Sequence, residues 1–381
     1  MNPRDLLVWC RSHTEAMLAM LRASVEIESP SSSKASVTRM AAFAAREFES
    51  AGARVETHRH PRAGDSITAN LWPGKPKPLL VLAHTDTVWD EGALASMPFR
   101  TAAGRAYGPG ILDMKSGIVI GIWAVRALKS AEIQPRGPVR FFLNSDEETG
   151  SLAFRSRILS EARRARACLV LEPAAEGGAL KTSRKGVGIF HITVRGRSAH
   201  AGINPAAGVN AISEMARQIA RIESLGRAAA RTRDGLSINV GMVQGGSRSN
   251  VVPEKATASI DVRVARGRDG EWIERRMRAL KPFDGRTQIE VAGGMNRPPM
   301  ERRQSAALFR HAGELARQLG FSVDEAATGG GSDGSFAAAL GVPTLDGMGG
   351  VGDGAHARHE HVLIRELPRR AALLAALLAT I

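Results

Sequence analysis

The stretch that most constrains this 381-residue chain is Pro138-Val-Arg-Phe-Phe-Leu143, an apolar run that opens directly into Asn144-Ser-Asp146-Glu147-Glu148-Thr-Gly150. β-Branched and aromatic residues grouped without helical spacing read as a buried strand. Three adjacent carboxylates at its end repel one another and are costly to desolvate unless a cation sits among them. Taken alone, a solvated acidic loop fits the same letters. The pattern recurs, however. Leu79-Leu-Val-Leu-Ala83 is uniformly apolar, as a strand covered on both faces must be, and ends in His84-Thr-Asp86. Ala167–Leu171 finishes in Glu172-Pro173, and Gly108-Pro-Gly-Ile-Leu-Asp113 leads into an apolar helix over Ile118 to Leu128. Strand, ionisable loop, helix, repeated, predicts an α/β fold with a mostly parallel sheet and helices on both faces. In such sheets ligands collect beyond the carboxyl ends of the strands.

The rest of the chain fits around that repeat. Helical periodicity covers residues 4 to 27 and 34 to 51, strands follow at Ala53–His58 and Ile67–Trp72, and a helix spans Ser151–Ala165. Near Lys185-Gly186 the pattern changes, because Gly188 to Arg195 alternates like a half-exposed strand. A helix at Asn204–Ser224, strands at Leu236–Val243 and Ala256–Val264, a helix at Asp269–Leu280 and a strand at Thr287–Ala292 complete the order β-α-β-β-α-β. That is the order of a ferredoxin-like sandwich. The first pattern then resumes with helix Gln304–Leu319, strand Phe321–Ala326 and strand Val342–Leu345. The expected domains are a catalytic domain in two parts, 1–186 and 298–381, interrupted by an inserted α+β domain at 187–297.

Composition removes other function classes. The formal charge of +14 is dispersed, densest at Arg163-Arg164-Ala-Arg166 and Glu301-Arg302-Arg303, and aromatics are 4% with one Tyr. A nucleic-acid binder gathers its charge with stacking residues, so no nucleic-acid partner is expected. Two cysteines, Cys10 and Cys168, cannot form a disulfide framework and fit a reducing, cytoplasmic setting. The N-terminus runs into an amphipathic helix rather than a signal sequence, and the apolar tail Ala371 to Ile381 is too short to span a bilayer.

Five positions just after predicted strands or in glycine-rich loops carry metal-binding side chains: His84, Asp113, Glu148, Glu172 and His356. Individually each has an ordinary alternative; His84 could sit in a surface loop, and Asp113 could cap a helix. Together, three carboxylates and two imidazoles suit a pair of borderline cations such as zinc with one carboxylate shared. Glu147, beside a ligand, would serve as the general base, and Asp86 would accept the second N–H of His84. Gly354-Ala-His356-Ala-Arg-His359-Glu-His361 offers three histidines for the last ligand position.

The motifs Ala83-His-Thr-Asp-Thr-Val88, Gly108-Pro-Gly-Ile-Leu-Asp-Met-Lys115, Asp146-Glu-Glu-Thr-Gly150, Glu172-Pro173, Ser198-Ala-His-Ala-Gly202 and Gly354-Ala-His356 before Glu360 span the chain. In that order they resemble the di-zinc exopeptidases and amidohydrolases: glutamate carboxypeptidases of the carboxypeptidase G type, aminoacylases, acetylornithine deacetylase and succinyl-diaminopimelate desuccinylase. The resemblance implies two Zn2+ per subunit, with Co2+ or Mn2+ as substitutes. It implies that Asp113 bridges the ions, His84 and Glu172 hold one, and Glu148 and His356 hold the other. It also implies that Glu147 is the base, that the inserted domain forms a homodimer and acts as a lid, and that His200 stabilises the oxyanion in the partner's site.

Asn250 and Arg263 resemble family substrate contacts, although Arg263 is equally a strand-edge charge. Asn296-Arg297-Pro-Pro299 looks like the segment with a carboxylate-clamping arginine, and Gly329-Gly330-Gly331-Ser332-Asp333 would add backbone and hydroxyl donors. Arg297 also reads as a domain-hinge charge. The expected function is hydrolysis of an amide next to a free C-terminal carboxylate, releasing an amino acid, glutamate first. An N-acyl amino-acid deacylase or desuccinylase is the alternative within the enzyme class. A non-catalytic basic nucleic-acid-binding protein is the alternative outside it, resting on net charge alone.

Overall fold

The apolar runs become neighbouring strands of one six-stranded sheet. Its order is Arg54–His58, Ser66–Leu71, Val139–Asn144, Leu79–His84, Ala167–Val170, Thr344–Leu345. The last four run parallel; at one edge Ser66–Leu71 pairs antiparallel with Val139–Asn144, and Arg54–His58 pairs antiparallel with Ser66–Leu71. All six residues of Leu79–His84 are buried, including the histidine. Alternation along these strands serves two apolar faces. Leu79, Val81, Phe141, Leu143 and Leu169 pack into one core with the helices Ser116–Ser130 and Glu366–Thr380. Leu80, Leu82, Phe142, Cys168 and Val170 pack into a second core with helices Arg155–Arg164 and Gly334–Ala339. A strand with apolar layers on both sides has no room for a polar position, which explains the uninterrupted sequence run.

The computed structural model describes residues 3–381. They divide into two compact units: the chain up to Ser183 with Glu301–Thr328 and Ser332–Ile381, and Arg184–Met300 with Gly329–Gly331. The first contains the six-stranded sheet. Helix Ser116–Ser130 is buried almost all round. It approaches the sheet by backbone, since a β-carbon on Gly117 would lie 2.1 Å from the Leu171 carbonyl oxygen. The closing helix Glu366–Thr380 buries Leu367, Leu373, Leu374, Leu377 and Leu378, each contributing about 1.5–3 kcal/mol by removal from water.

The second unit is a four-stranded antiparallel sheet in the order Ser237–Gly245, Lys255–Val264, Gly186–Arg195, Gln288–Arg297, with helices Ala211–Ala230 and Gly267–Arg278. In chain order its strands lie 2-3-1-4, the ferredoxin-like arrangement. Gly186–Arg195 buries Phe190, Ile192 and Val194 and leaves the intervening residues partly or fully exposed.

Several boundaries differ from the expectations. Residues 4 to 27 form two helices, Pro3–Ser12 and Thr14–Val25, parted at His13. The long helix of the second unit starts at Ala211 rather than Asn204, because Asn210 accepts hydrogen bonds from the Ile212 and Ser213 amides while Asn204 closes a single 3-10 turn. The helix expected from Ser151 begins at Arg155. The strand expected at Phe321–Ala326 is instead Glu325–Thr328, and Phe321 packs on the first core from a loop.

Candidate metal centre

The ends of the parallel strands deliver the chemistry. His84 is the last residue of its strand, Glu148 lies four residues after Asn144, and Glu172 two residues after Val170. Asp113 comes from the irregular turn Ile111–Lys115 before the buried helix. His356 comes from a loop and has φ 63°, the left-handed region that β-carbons disfavour by about 1–2 kcal/mol.

These five side chains form two overlapping triads, His84–Asp113–Glu172 and Asp113–Glu148–His356, with ligand atoms in each within 4.8 Å of one another. Asp113 belongs to both. Its Oδ1 lies 3.2 Å from His84 Nε2 and its Oδ2 lies 3.5 Å from His356 Nε2. Glu172 Oε1 is 3.5 Å from His84 Nε2, and Glu148 Oε1 is 3.4 Å from His356 Nε2. Of the three histidines near the C-terminus, the triad takes His356; His359 lies 4.0 Å from Asp353, and the His361 ring lies tilted beside Tyr107, centroids 5.3 Å apart.

The electrostatics call for positive charge. Burial would lower the pKa of His84, but hydrogen bonds to Asp113, Asp86 and Glu172 carry it well above the usual imidazole value. Asp113 and Glu148 raise His356 to about 10. Asp113 is held far below the carboxylate range by His356 and His84 in spite of its burial, whereas burial raises Glu148 from its ordinary value. Glu148 Oε1 is buried without a well-formed hydrogen bond. Carboxylates that pull protons onto both imidazoles are a donor set that divalent ions would satisfy in the protons' place.

Asp86 ties this set together. Its main-chain oxygen is 2.9 Å from His84 Nδ1, closer than its carboxylate at 3.4 Å. The carboxylate, expected to accept the second N–H of His84, chiefly accepts the amides of Glu147 and Glu148, each at 3.1 Å, and the Ser31 hydroxyl at 2.7 Å. Glu147 is buried beside it. Ser31 stands by the centre with no local sequence signal of that role, whereas Lys115, whose ammonium donates to the Ile27 carbonyl, closes the Gly108–Lys115 motif. Glu360, which follows the Gly354-Ala-His356 motif, likewise stands by the centre.

The other sequence-derived residues occupy different places. In the second unit, Ala201 N–H donates to the Asn250 carbonyl and Val252 N–H to the Ala199 carbonyl, so His200 and Asn250 lie on paired segments. His200 Nδ1 accepts from the Gly202 and Ile203 amides, each at 3.1 Å. Arg263 is bound by both oxygens of Asp261 and reaches the Gly329 carbonyl at 3.4 Å. Arg184 donates to the Gly330 and Gly331 carbonyls. Arg297 is 8% exposed, and its side chain is packed against Gly331. Ser332, in the first unit, differs from expectation. It is fully buried and its hydroxyl donates to Asp346 at 2.6 Å rather than facing a substrate.

Among the described residues no helix is long and apolar enough to cross a membrane. Residues 80–380 match Peptidase family M20/M25/M40. Carboxypeptidase G2 of Pseudomonas sp. (strain RS-16) is 32% identical over 323 residues, covering 83% of this chain and 76% of the relative. Succinyl-diaminopimelate desuccinylase of Herminiimonas arsenicoxydans is 28% identical over 324 residues, covering 79% and 84%. In fold, the chain is similar to an M20 family metallo-carboxypeptidase from Sulfolobus solfataricus, with TM-score 0.75 and 15% identity over 95% of this chain and 98% of that one. By the extent of these matches the chain belongs to peptidase family M20/M25/M40 and is a metallopeptidase or amidohydrolase.

Proposed function

We propose that this enzyme hydrolyses an amide bond adjacent to a free α-carboxylate and releases an amino acid, glutamate being the favoured product. The observation that carries the reading is the shared Asp113, whose two oxygens face different imidazoles. In this reading His84 and Glu172 would hold one Zn2+, Glu148 and His356 the other, and Asp113 would serve both, with Co2+ or Mn2+ as substitutes. When bound, such ions acidify a water and polarise the scissile carbonyl. Glu147 would act as the general base, taking a proton from the attacking water and giving it to the leaving nitrogen as the C–N bond breaks. The Asp86 carboxylate, through the Glu147 and Glu148 amides, keeps base and ligand in register. His200 is assigned to the oxyanion of a partner's site, which makes a homodimer through the inserted domain, residues 187–297, part of the proposal. A cytoplasmic setting also belongs to it, supported by two buried free cysteines.

The substrate assignment is supported by the similarity to carboxypeptidase G2 and by the arginines gathered within the second unit. Arg297, assisted by Asn250, Arg263 and the Gly330 backbone, is assigned to the carboxylate; a guanidinium offers it two parallel hydrogen bonds. Similarity to succinyl-diaminopimelate desuccinylase favours a second reading, removal of an acyl group from an amino acid. Both share the metal chemistry, since the ligands serve the bond and not the leaving group. Assaying acyl-glutamates, N-acetyl-ornithine and N-succinyl-diaminopimelate side by side separates them. Preference for acyl-glutamates, lost in Arg297→Ala mainly through KM, is the expected result. Preference for N-succinyl-diaminopimelate would replace the first reading with the second.

A further inference from the structure

Glu360 stands four residues after His356, just before the strand His361–Leu363, and is 1% exposed. Its Oε1 accepts the amides of Leu112 at 2.9 Å and Asp113 at 3.0 Å. Its Oε2 accepts the amide of Gly110 at 2.9 Å and the indole N–H of Trp89 at 2.8 Å. Four neutral donors fill the acceptor sites of a carboxylate. Three belong to the turn that carries Asp113, and the fourth to the loop that follows His84. On the main-chain side, the Glu360 amide donates to the Ala357 carbonyl at 2.9 Å, and the Ala357 amide in turn donates to the Gly354 carbonyl at 2.8 Å, so the two bonds close consecutive turns of which the first holds His356. That turn leaves no space for a side chain at Gly354, φ 82°, where a β-carbon would lie 2.9 Å from the Glu360 nitrogen.

We infer that Glu360 is a positioning residue of the metal centre, joining the Asp113 turn, the loop beyond His84 and the His356 turn in one frame. It meets neither substrate nor ion. Its effect is orientational: a carboxylate can serve two ions only if its oxygens are aimed apart, and side-chain aim follows the main chain that Glu360 pins. An acid with so many main-chain partners could instead serve folding alone, holding a loop that the ligands do not depend on. The two differ in what the bound metal reports. Outer partners of metal ligands set ligand orientation, and their loss weakens metal binding by about 10–100-fold.

The inference rests on the two-ion reading, so the experiment begins with wild-type protein, freed of metal and titrated with Co2+. Two binding steps with a d–d absorption spectrum support that reading; absence of binding would overturn it and the role of Glu360 with it. Glu360→Gln keeps the size of the side chain but presents an NH2 group to two N–H donors. With circular dichroism matching wild type, one Co2+ step should weaken by about 10–100-fold, the d–d spectrum should change, and kcat should fall with KM nearly constant. Trp89→Phe removes a single bond from the same carboxylate and should weaken the same step by a smaller factor, under about tenfold. A folded Glu360→Gln protein with wild-type Co2+ affinities and spectrum would overturn the inference, whatever its turnover. Should that variant not fold, wild-type affinities and spectrum in Trp89→Phe would overturn it equally.

Discussion

The two units of this chain use β-structure in opposite ways. In the first, parallel strands lie between two apolar cores, and every side chain of Leu79–His84 is inside. Their ends are where chemistry gathers, because only there does the backbone leave the core while staying rigidly held. In the second, Gly186–Arg195 packs one face on two helices and leaves the other partly exposed, and none of the metal triads draws on it. The lesson is that the first unit gathers acids and imidazoles where buried strands end, whereas the second leaves part of its strand surface on an open face and uses its buried polar groups, Glu214 among them, to hold loops.

The sharpest test of that contrast is Glu147→Gln. Losing a general base should reduce kcat by about 10²–10⁴-fold, with metal content by elemental analysis and thermal unfolding unchanged. Near-normal turnover would remove Glu147 from its assigned role. The converse test lies in the second unit, where Phe190 is fully buried. Phe190→Ala should destabilise that unit by about 3–5 kcal/mol in denaturant unfolding, yet leave the bound metal at wild-type stoichiometry. Metal loss in parallel would break the separation drawn between the units.

Gly117→Ala probes how closely helix and strand meet in the first unit. With the Leu171 carbonyl 2.1 Å from the new methyl position, overpacking should cost about 1–3 kcal/mol and weaken metal binding together with stability. The smallest effect is expected at Glu214 in the second unit. Burial would raise its carboxyl pKa, but hydrogen bonds from Gln218 and from the amides of Phe283 and Asp284, with the charge of Arg217, hold it below the usual range. A depressed folded-state pKa gives stability that is present above the unfolded value near 4.5 and is lost as pH falls through the folded value. Glu214→Gln should therefore cost about 1 kcal/mol at neutral pH, and the gap to wild type should close in acid. A gap independent of pH would mean that the charge of Glu214 contributes nothing.

Much of the first unit is legible in the sequence because burial on both faces leaves a simple trace. Leu79-Leu-Val-Leu-Ala83 cannot be a surface strand, and a histidine directly after it cannot be far from the sheet edge. The ferredoxin-like order was equally readable, since alternation at Gly188 to Arg195 differs from the runs before it. Less was legible where hydrogen bonds to main chain decide the outcome. Asn204 and Asn210 are equivalent capping letters, and only the turn that each closes tells them apart. Ser31 has the composition of any turn, and its bond to Asp86, 55 residues away, leaves no pattern. Ser332 reads as an exposed donor in a glycine-rich loop until Asp346 is seen to hold it.

From the sequence alone came the class of the fold, the break near Lys185 and the residue types able to hold two divalent ions. These follow from hydrophobic period and from the rarity of clustered acids beside apolar strands, both of which are properties of the chain read locally. The motifs already point to Asp113 as the shared carboxylate and to His356. Tertiary structure alone decided that the Asp86 carboxylate accepts the Glu147 and Glu148 amides, that Asp346 holds Ser332, and that Glu360 gathers the surrounding turns. The physical reason is that orientation is set by backbone amides and carbonyls, which every residue carries and no residue letter distinguishes.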